Sequence, residues 1–453
     1  VITVVRGSKS KVPRVFFKVR VSDQLLKLVN NKELKKEGGA LIFQDAKRCL
    51  LFKPRTVEQS RKAGAHVWKW IETYNLSEVV FEQANVPFMD SVIEGLMVAA
   101  HKNDYLKTKK EDRNITVYVP HVSKRTVDRG VMWAQARNTA RWFAEMPSNH
   151  LYPAKFAEHV MRLGKQYGFK VKVWDEKELE RKGFGGVLGV GKGSANPPRF
   201  LELEYGEGDK AVALVGKGVV FDTGGISLKP AKGMEEMKYD KTGASLIVGA
   251  FTAMASLKLK AHVYGFIPLV ENVPSDKSIK PGDVITIYNG KTVEVVNTDA
   301  EGRLILADAL AYASTFDDVK VVVDVATLTG AMIVSLGRMG IGYFSNDERV
   351  AQTVEQASAL AGERTWRFPL WDEYELMLES HVADIKNIGS FKGEAGSITA
   401  AMFLKQFVTK PWAHLDIAGV MNVEGVKHFS YYPPGAPGIG MRTLYHFVEL
   451  FFK

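Results

Sequence analysis

Three segments of this chain set carboxylates and lysines where apolar stretches begin or end. The first runs Val215-Gly216-Lys217-Gly218-Val219-Val220-Phe221-Asp222-Thr223-Gly224-Gly225 and reaches Lys229. Lys217 falls inside an apolar strand, and Asp222 ends that strand before a Gly-Gly turn. Burying an ammonium costs several kcal/mol unless it is paired or neutralised. Strand ends of parallel sheets are also where ligands bind. The plainer alternative is a lysine on an exposed edge and an aspartate that opens a turn. The second segment, Met237-Lys238-Tyr239-Asp240-Lys241, precedes an apolar stretch, and Asp240 also suits a helix N-cap there. The third is Asn297-Thr298-Asp299-Ala300-Glu301-Gly302-Arg303-Leu304, in which Thr298 and Glu301 fit a capping box. Arg303 fits that pattern poorly, because the dipole disfavours a cation in the first helical turn.

Read jointly, Asp222, Asp240, Asp299 and Glu301 fall at strand ends or helix starts on one sheet edge. Four converging carboxylates repel unless cations neutralise them, and a divalent metal with oxygen ligands is the natural resolution. Lys217 adds an amine ligand only when deprotonated. From a usual pKa of about 10.4, that needs adjacent dications. A set of oxygens with at most one nitrogen and no sulfur admits Zn, Mn, Co or Mg.

These residues need a frame. Strands are expected at 12–21, 40–43, 50–52, 79–81 and 114–119, with helices at 56–74 and 89–101. A long helix from about Thr126 to Glu145 ends at Met146-Pro147-Ser148-Asn149, a stop signal. Beyond it strands (170–174, 199–205, 211–221, 261–268, 319–325) alternate with helices (176–182, 243–257, 303–314). A hairpin is expected about Asn289-Gly290. Such alternation predicts an α/β fold with a mostly parallel central sheet. The domain division expected is a small mixed α/β domain over 1–125, a linker helix over 126–149 and a larger catalytic domain over 150–453.

With 453 residues, two or three domains are the prior. The longest uncharged run, Thr242–Leu257, has 16 residues and contains Gly, Ser and Thr, so no membrane span is expected. Cys49 is the only cysteine, which excludes an intrachain disulfide and a cysteine zinc site and fits a reducing, cytoplasmic compartment. The net charge of +10 is uneven: residues 1–150 hold 27 Lys+Arg against 15 Asp+Glu. A basic first third keeps a rival open, a nucleic-acid-binding or scaffolding oligomer, although a solvated basic face explains it as well. No His-Glu-x-x-His, Gly-x-Ser-x-Gly or P-loop pattern occurs. The cluster Gly189–Ser194 lacks dinucleotide-loop spacing and is interrupted by Asn196-Pro197-Pro198. His414 lies in an apolar segment and reads as a core histidine.

At the three motifs the sequence resembles the leucyl (cytosol) aminopeptidase family. Asn297–Leu304, NTDAEGRL, matches that family's signature, and Gly216–Gly225 and Met237–Asp240 match its other metal-site segments. The resemblance extends over about residues 130–453, including 326–331, 396–403 and 414–421. It implies a two-metal exopeptidase that cleaves N-terminal residues, leucine and similar apolar ones preferred, through a hydroxide shared by two ions. By motif position it implies Lys217, Asp222, Asp240, Asp299 and Glu301 as metal ligands, with Asp222 and Glu301 bridging. Lys229 and Arg303 look like the catalytic pair. Met237, Asn297, Thr327, Leu328, Gly330, Ala418 and Met421 look like substrate contacts. The implied cofactors are two divalent ions per subunit, Zn or Mn first and Co or Mg also admitted, with bicarbonate near Arg303. The implied partners are peptides with a free N-terminus and five further copies of the chain in a homohexamer, a dimer of trimers. Two departures stand out. Lys241 replaces an apolar residue, often Met, beside Asp240, and Pro437 stands where Thr is commoner.

Overall fold

The computed structural model describes residues 2–7, 9, 11–18, 41–44, 47–82, 86–110, 113–389 and 394–453. Two compact units result, Val1–Asn138 with Val423–Pro434, and Thr139–Asn422 with Gly435–Lys453. The boundary falls inside the helix Lys124–Glu145. Residues 423–434, which a linear division gives to the second domain, group with the first unit.

Among the described residues the first unit holds a six-stranded sheet in the order Ile2–Val5, Ile115–Tyr118, Glu78–Phe81, Arg14–Lys18, Arg48–Phe52, Leu41–Gln44. Only the last pair is antiparallel. The strand expected over 12–21 is described as Arg14–Lys18, and residues 19–21 and Ala40 lie outside the described residues. Helix Val57–Thr73 starts where Thr56 accepts from the Gln59 N–H, an N-cap bond.

The second unit is built on a nine-stranded sheet. Its centre is parallel: Trp412–Asp416, Val319–Ala326, Ala211–Gly216 and Val263–Asn272 lie side by side. Antiparallel neighbours join toward the margins. The central strands are buried on both faces, so they read as continuous apolar runs rather than alternating ones. Helices Thr242–Ser256 and Gly302–Ala313 both pack on Ala211–Gly216 and Val319–Ala326. Parallel register carries the strand ends to one edge: Gly216 pairs with Val325, Ala326 with Asp416, and Asp222 with Asn272.

The strand expected over 211–221 is two strands, Ala211–Gly216 and Gly218–Asp222, interrupted at Lys217. The lysine keeps main-chain bonds to Val325 and Ala244, while its side chain is buried among carboxylates. Its ammonium is paired with Asp240 and Glu301, which offsets the cost of burying it in an apolar sheet.

The glycine cluster Gly189–Ser194 straddles the end of a short helix, Gly185–Gly191, whose C-cap is Lys192 and which lies on Gly302–Ala313. Its start is held by buried Asp308, which accepts from the Val187 N–H at 2.8 Å and the Tyr288 N–H at 2.9 Å. Asp308→Ala strands the buried Val187 N–H and the half-buried Tyr288 N–H, so it is expected to destabilise this unit by roughly 1–3 kcal/mol. A lowered unfolding midpoint in the metal-free protein checks this, and an unchanged midpoint refutes it. Among the described residues no helix is long and apolar enough to cross a membrane.

Candidate metal centre

Carboxylate oxygens of Asp222, Asp299 and Glu301 lie within 4.8 Å of one another. Asp240 joins them through Lys217, whose Nζ is 2.7 Å from Asp240 Oδ1 and 2.9 Å from Glu301 Oε1. Lys229 Nζ is 2.8 Å from Asp222 Oδ2 and bonds Asp299 as well. Lys217, Asp222, Asp240 and Glu301 are all at most 5% exposed.

Local sequence explains each placement. Asp222 ends its strand, and the chain turns on Gly224 and Gly225, both left-handed at φ 86° and 65°. The turn closes when the Lys229 N–H bonds the Thr223 carbonyl, which aims Lys229 back at Asp222. Asp240 sits in the 3-10 helix Met234–Lys241, not at an N-cap; that place falls to Lys241. The capping box expected at Thr298 and Glu301 does not form. Thr298 Oγ1 donates to the Gly224 carbonyl and accepts from Ser227 N–H, while the Glu301 side chain turns to Lys217. Gly302 makes that turn possible, since a Cβ there would overlap the Lys217 side chain.

Charge explains the titration. Burial, with the charges of Asp222 and Asp240, pushes the Glu301 carboxyl up to about 8 against the pull of Lys217 and Lys229. Burial and Asp222 raise Asp240 to about 6, against Lys217 and Thr327. Burial opposes the Lys217 charge, but Asp240, Glu301 and Asp222 outweigh it and raise its pKa. Lys229 is raised in the same way, chiefly by Asp222 and Glu301 acting against burial. Burial lowers Arg303 to about 10, so it remains a cation at neutral pH.

The other expected residues divide into groups. Thr327 donates to Asp240 Oδ1 at 2.7 Å, and its carbonyl accepts from Lys217 at 3.1 Å. Asn297, Leu328 and Gly330 line a cavity of about 570 Å³ together with Asp299 and Arg303. Met237 and Met421 pack in one apolar cluster with Ala144, Tyr239 and Ala436. Ala418 is buried in the main core, its N–H bonded to Asp416 at 3.1 Å. Lys241 does not point to solvent. It is fully buried, donates to the Lys238 carbonyl, and burial with the Lys238 charge lowers it to about 7. Pro437 follows Ala436, whose N–H bonds Glu145. His414 is a core histidine paired with Asp324 at 2.6 Å.

Two asparagines had no signal in the sequence. Asn387 follows the strand Ile385–Lys386, which runs parallel to Thr292–Glu294, so both chains leave that small sheet together. Its side chain accepts from Val296 and Asn297 N–H and donates to the Asn297 and Ala300 carbonyls. Its own carbonyl accepts from Arg303 at 2.8 Å. Asn272 donates to Asp222 and to the Thr298 carbonyl.

Parallel strand ends that gather four carboxylates around two lysines define the chain as an α/β protein with a candidate metal centre. Residues 138–445 match the model of the cytosol aminopeptidase family catalytic domain. The probable cytosol aminopeptidase of Chlorobaculum tepidum is 45% identical over 375 residues, 78% of this chain and 73% of that protein. That of Chlorobium limicola is 46% identical over 369 residues, 78% and 71%. The structure of the bottromycin maturation enzyme BotP in complex with Mn superposes with a TM-score of 0.88 at 33% identity, covering 98% of this chain and 100% of that one. The chain belongs to the cytosol aminopeptidase family, and it is a metal-dependent aminopeptidase.

Proposed function

We propose that the chain releases leucine and similar apolar residues from peptide N-termini, using two divalent ions held by Lys217, Asp222, Asp240, Asp299 and Glu301. The observation that carries this reading is the fit of the donors to cations. Asp240 Oδ2 is buried with no hydrogen-bond partner, and a buried unpaired carboxylate oxygen is costly unless something positive meets it. Among the described residues the four carboxylates form ion pairs with two ammoniums, Lys217 and Lys229, which leaves a formal −2 among these six groups. Such ions, when bound, supply Lewis acidity and a water-derived nucleophile near neutral pH. Zn and Mn suit this donor set, and BotP, similar over the whole chain, is known with Mn.

Lys229 is the cation that reaches the open side, its side chain 21% exposed against 4% for Lys217. It places an ammonium where negative charge develops on the scissile carbonyl oxygen. Arg303 is too basic for a proton acceptor and acts as an anion anchor on the cavity wall. Met237 and Met421, which pack in one apolar cluster, are assigned by the family resemblance to the seat of the substrate's first side chain. Such seats discriminate by only about 1–3 kcal/mol per methylene, so a broad preference is expected.

Leucine amide and N-acetyl-leucine amide test the reading side by side, with Mn or Zn and after chelation. Cleavage of the first alone, lost on chelation and restored by metal, is the expected result. Equal cleavage of both would remove the requirement for a free amine and overturn the reading.

A further inference from the structure

Asn272 ends the strand Val263–Asn272 in register with Asp222, and it is 2% exposed. A buried carboxamide must place both N–H donors or lose about 1–3 kcal/mol for each. Both are placed: Nδ2 donates to Asp222 Oδ1 at 2.8 Å and to the Thr298 carbonyl at 3.0 Å. Both partners are acceptors, so chemistry alone fixes which end of the amide faces them. The Asn272 main-chain carbonyl accepts from the N–H and the hydroxyl of Thr223, each at 2.9 Å. One residue thus ties the strand end bearing Asp222 to the loop bearing Asp299 and Glu301.

The consequence concerns which oxygen of Asp222 stays available. Oδ1 accepts from Asn272 and, at 2.9 Å, from the Gly224 N–H. Oδ2 is the oxygen beside Lys229. We propose that Asn272 is a positioning residue for the metal centre. By occupying Oδ1 and gripping the Thr298 carbonyl, it sets Asp222 Oδ2 at its working distance from Asp299 and Glu301. Outer partners of metal ligands act in this way, orienting the ligand and raising its affinity. The proposal rests on the reading of Asp222 as a ligand.

The test titrates metal-free wild type, Asn272→Ala and Asn272→Ser with Mn, reading free Mn by its electron paramagnetic resonance, beside unfolding midpoints without metal. Wild type is expected to take up two ions. Asn272→Ala is expected to bind about 10–100-fold more weakly while remaining folded at the assay temperature. Asn272→Ser, which keeps one donor, is expected to fall between and serves if the alanine variant does not fold. Wild type without uptake would sink the ligand reading itself. Normal uptake by wild type and both variants would overturn the proposal and leave that reading standing. Weaker uptake that merely tracks the fraction unfolded would also overturn it.

Discussion

Glu301→Gln is expected to lower kcat by on the order of 10³-fold and to abolish the stabilisation that added metal gives. Loss of Lewis acidity forfeits several kcal/mol of transition-state stabilisation, and each 1.36 kcal/mol is about tenfold. The stability readout is independent of turnover. A metal at about 100 times its Kd stabilises a folded chain by about 2.7 kcal/mol, so the wild-type midpoint should rise with Mn and the variant's should not. Without metal, Glu301 is raised to about 8 and is largely protonated at neutral pH, so the amide replaces a mostly neutral carboxyl and the metal-free midpoint should move little. The pH dependence has a definite sign. In the metal-free chain Glu301 is raised to about 8 and Asp240 to about 6, so protons compete with metal over this range. Metal affinity should therefore fall as pH drops from 8 to 6. Unaltered uptake by Glu301→Gln would remove Glu301 from the ligand set.

Much of the catalytic unit was legible because its elements carry one strong pattern each. The strand Lys170–Trp174, the helix Glu176–Lys182 and the strand Arg199–Tyr205 fall where residue pattern puts them. The interruption at Lys217 was hidden because apolar residues continue on both sides of it. Only the charge conflicted with its setting, and that conflict marked the site without showing how the chain resolves it. The return of residues 423–434 to the first unit is a tertiary choice that no local period encodes.

The site followed the same rule. Carboxylates and lysines in apolar surroundings are expensive, so Lys217, Asp222, Asp240 and Glu301 announced themselves. Their supports did not. Asn272 and Asn387 are neutral, and asparagine at the end of a strand is what an ordinary turn shows. Their role appears only when the hydrogen bonds are traced, because a carboxamide is informative through its partners rather than its charge. Thr298 was misassigned for the same reason. Its hydroxyl suited a cap by spacing, but folding gives it the Gly224 carbonyl instead.

Lys229→Ala is expected to lower kcat by about 10²–10³-fold with KM little changed, the loss typical of one donor to a developing oxyanion. Of Lys217, Lys229 and Arg303, one suits that task. Lys217 is buried between Asp240 and Glu301, and Arg303 donates to the Asn387 carbonyl. Lys229 is partly exposed, and its raised pKa keeps it an ammonium through the neutral range. A merely structural role, holding Asp222 and Asp299 in place, predicts that metal uptake falls together with kcat. A catalytic cation instead only competes with metal for those oxygens. Metal uptake by Lys229→Ala should then be as tight as in wild type or tighter, because the ammonium competes for the same oxygens. Catalysis and uptake thus separate: kcat falls while affinity for Mn holds. If both fall together, Lys229 is a support of the centre, and the oxyanion needs another donor.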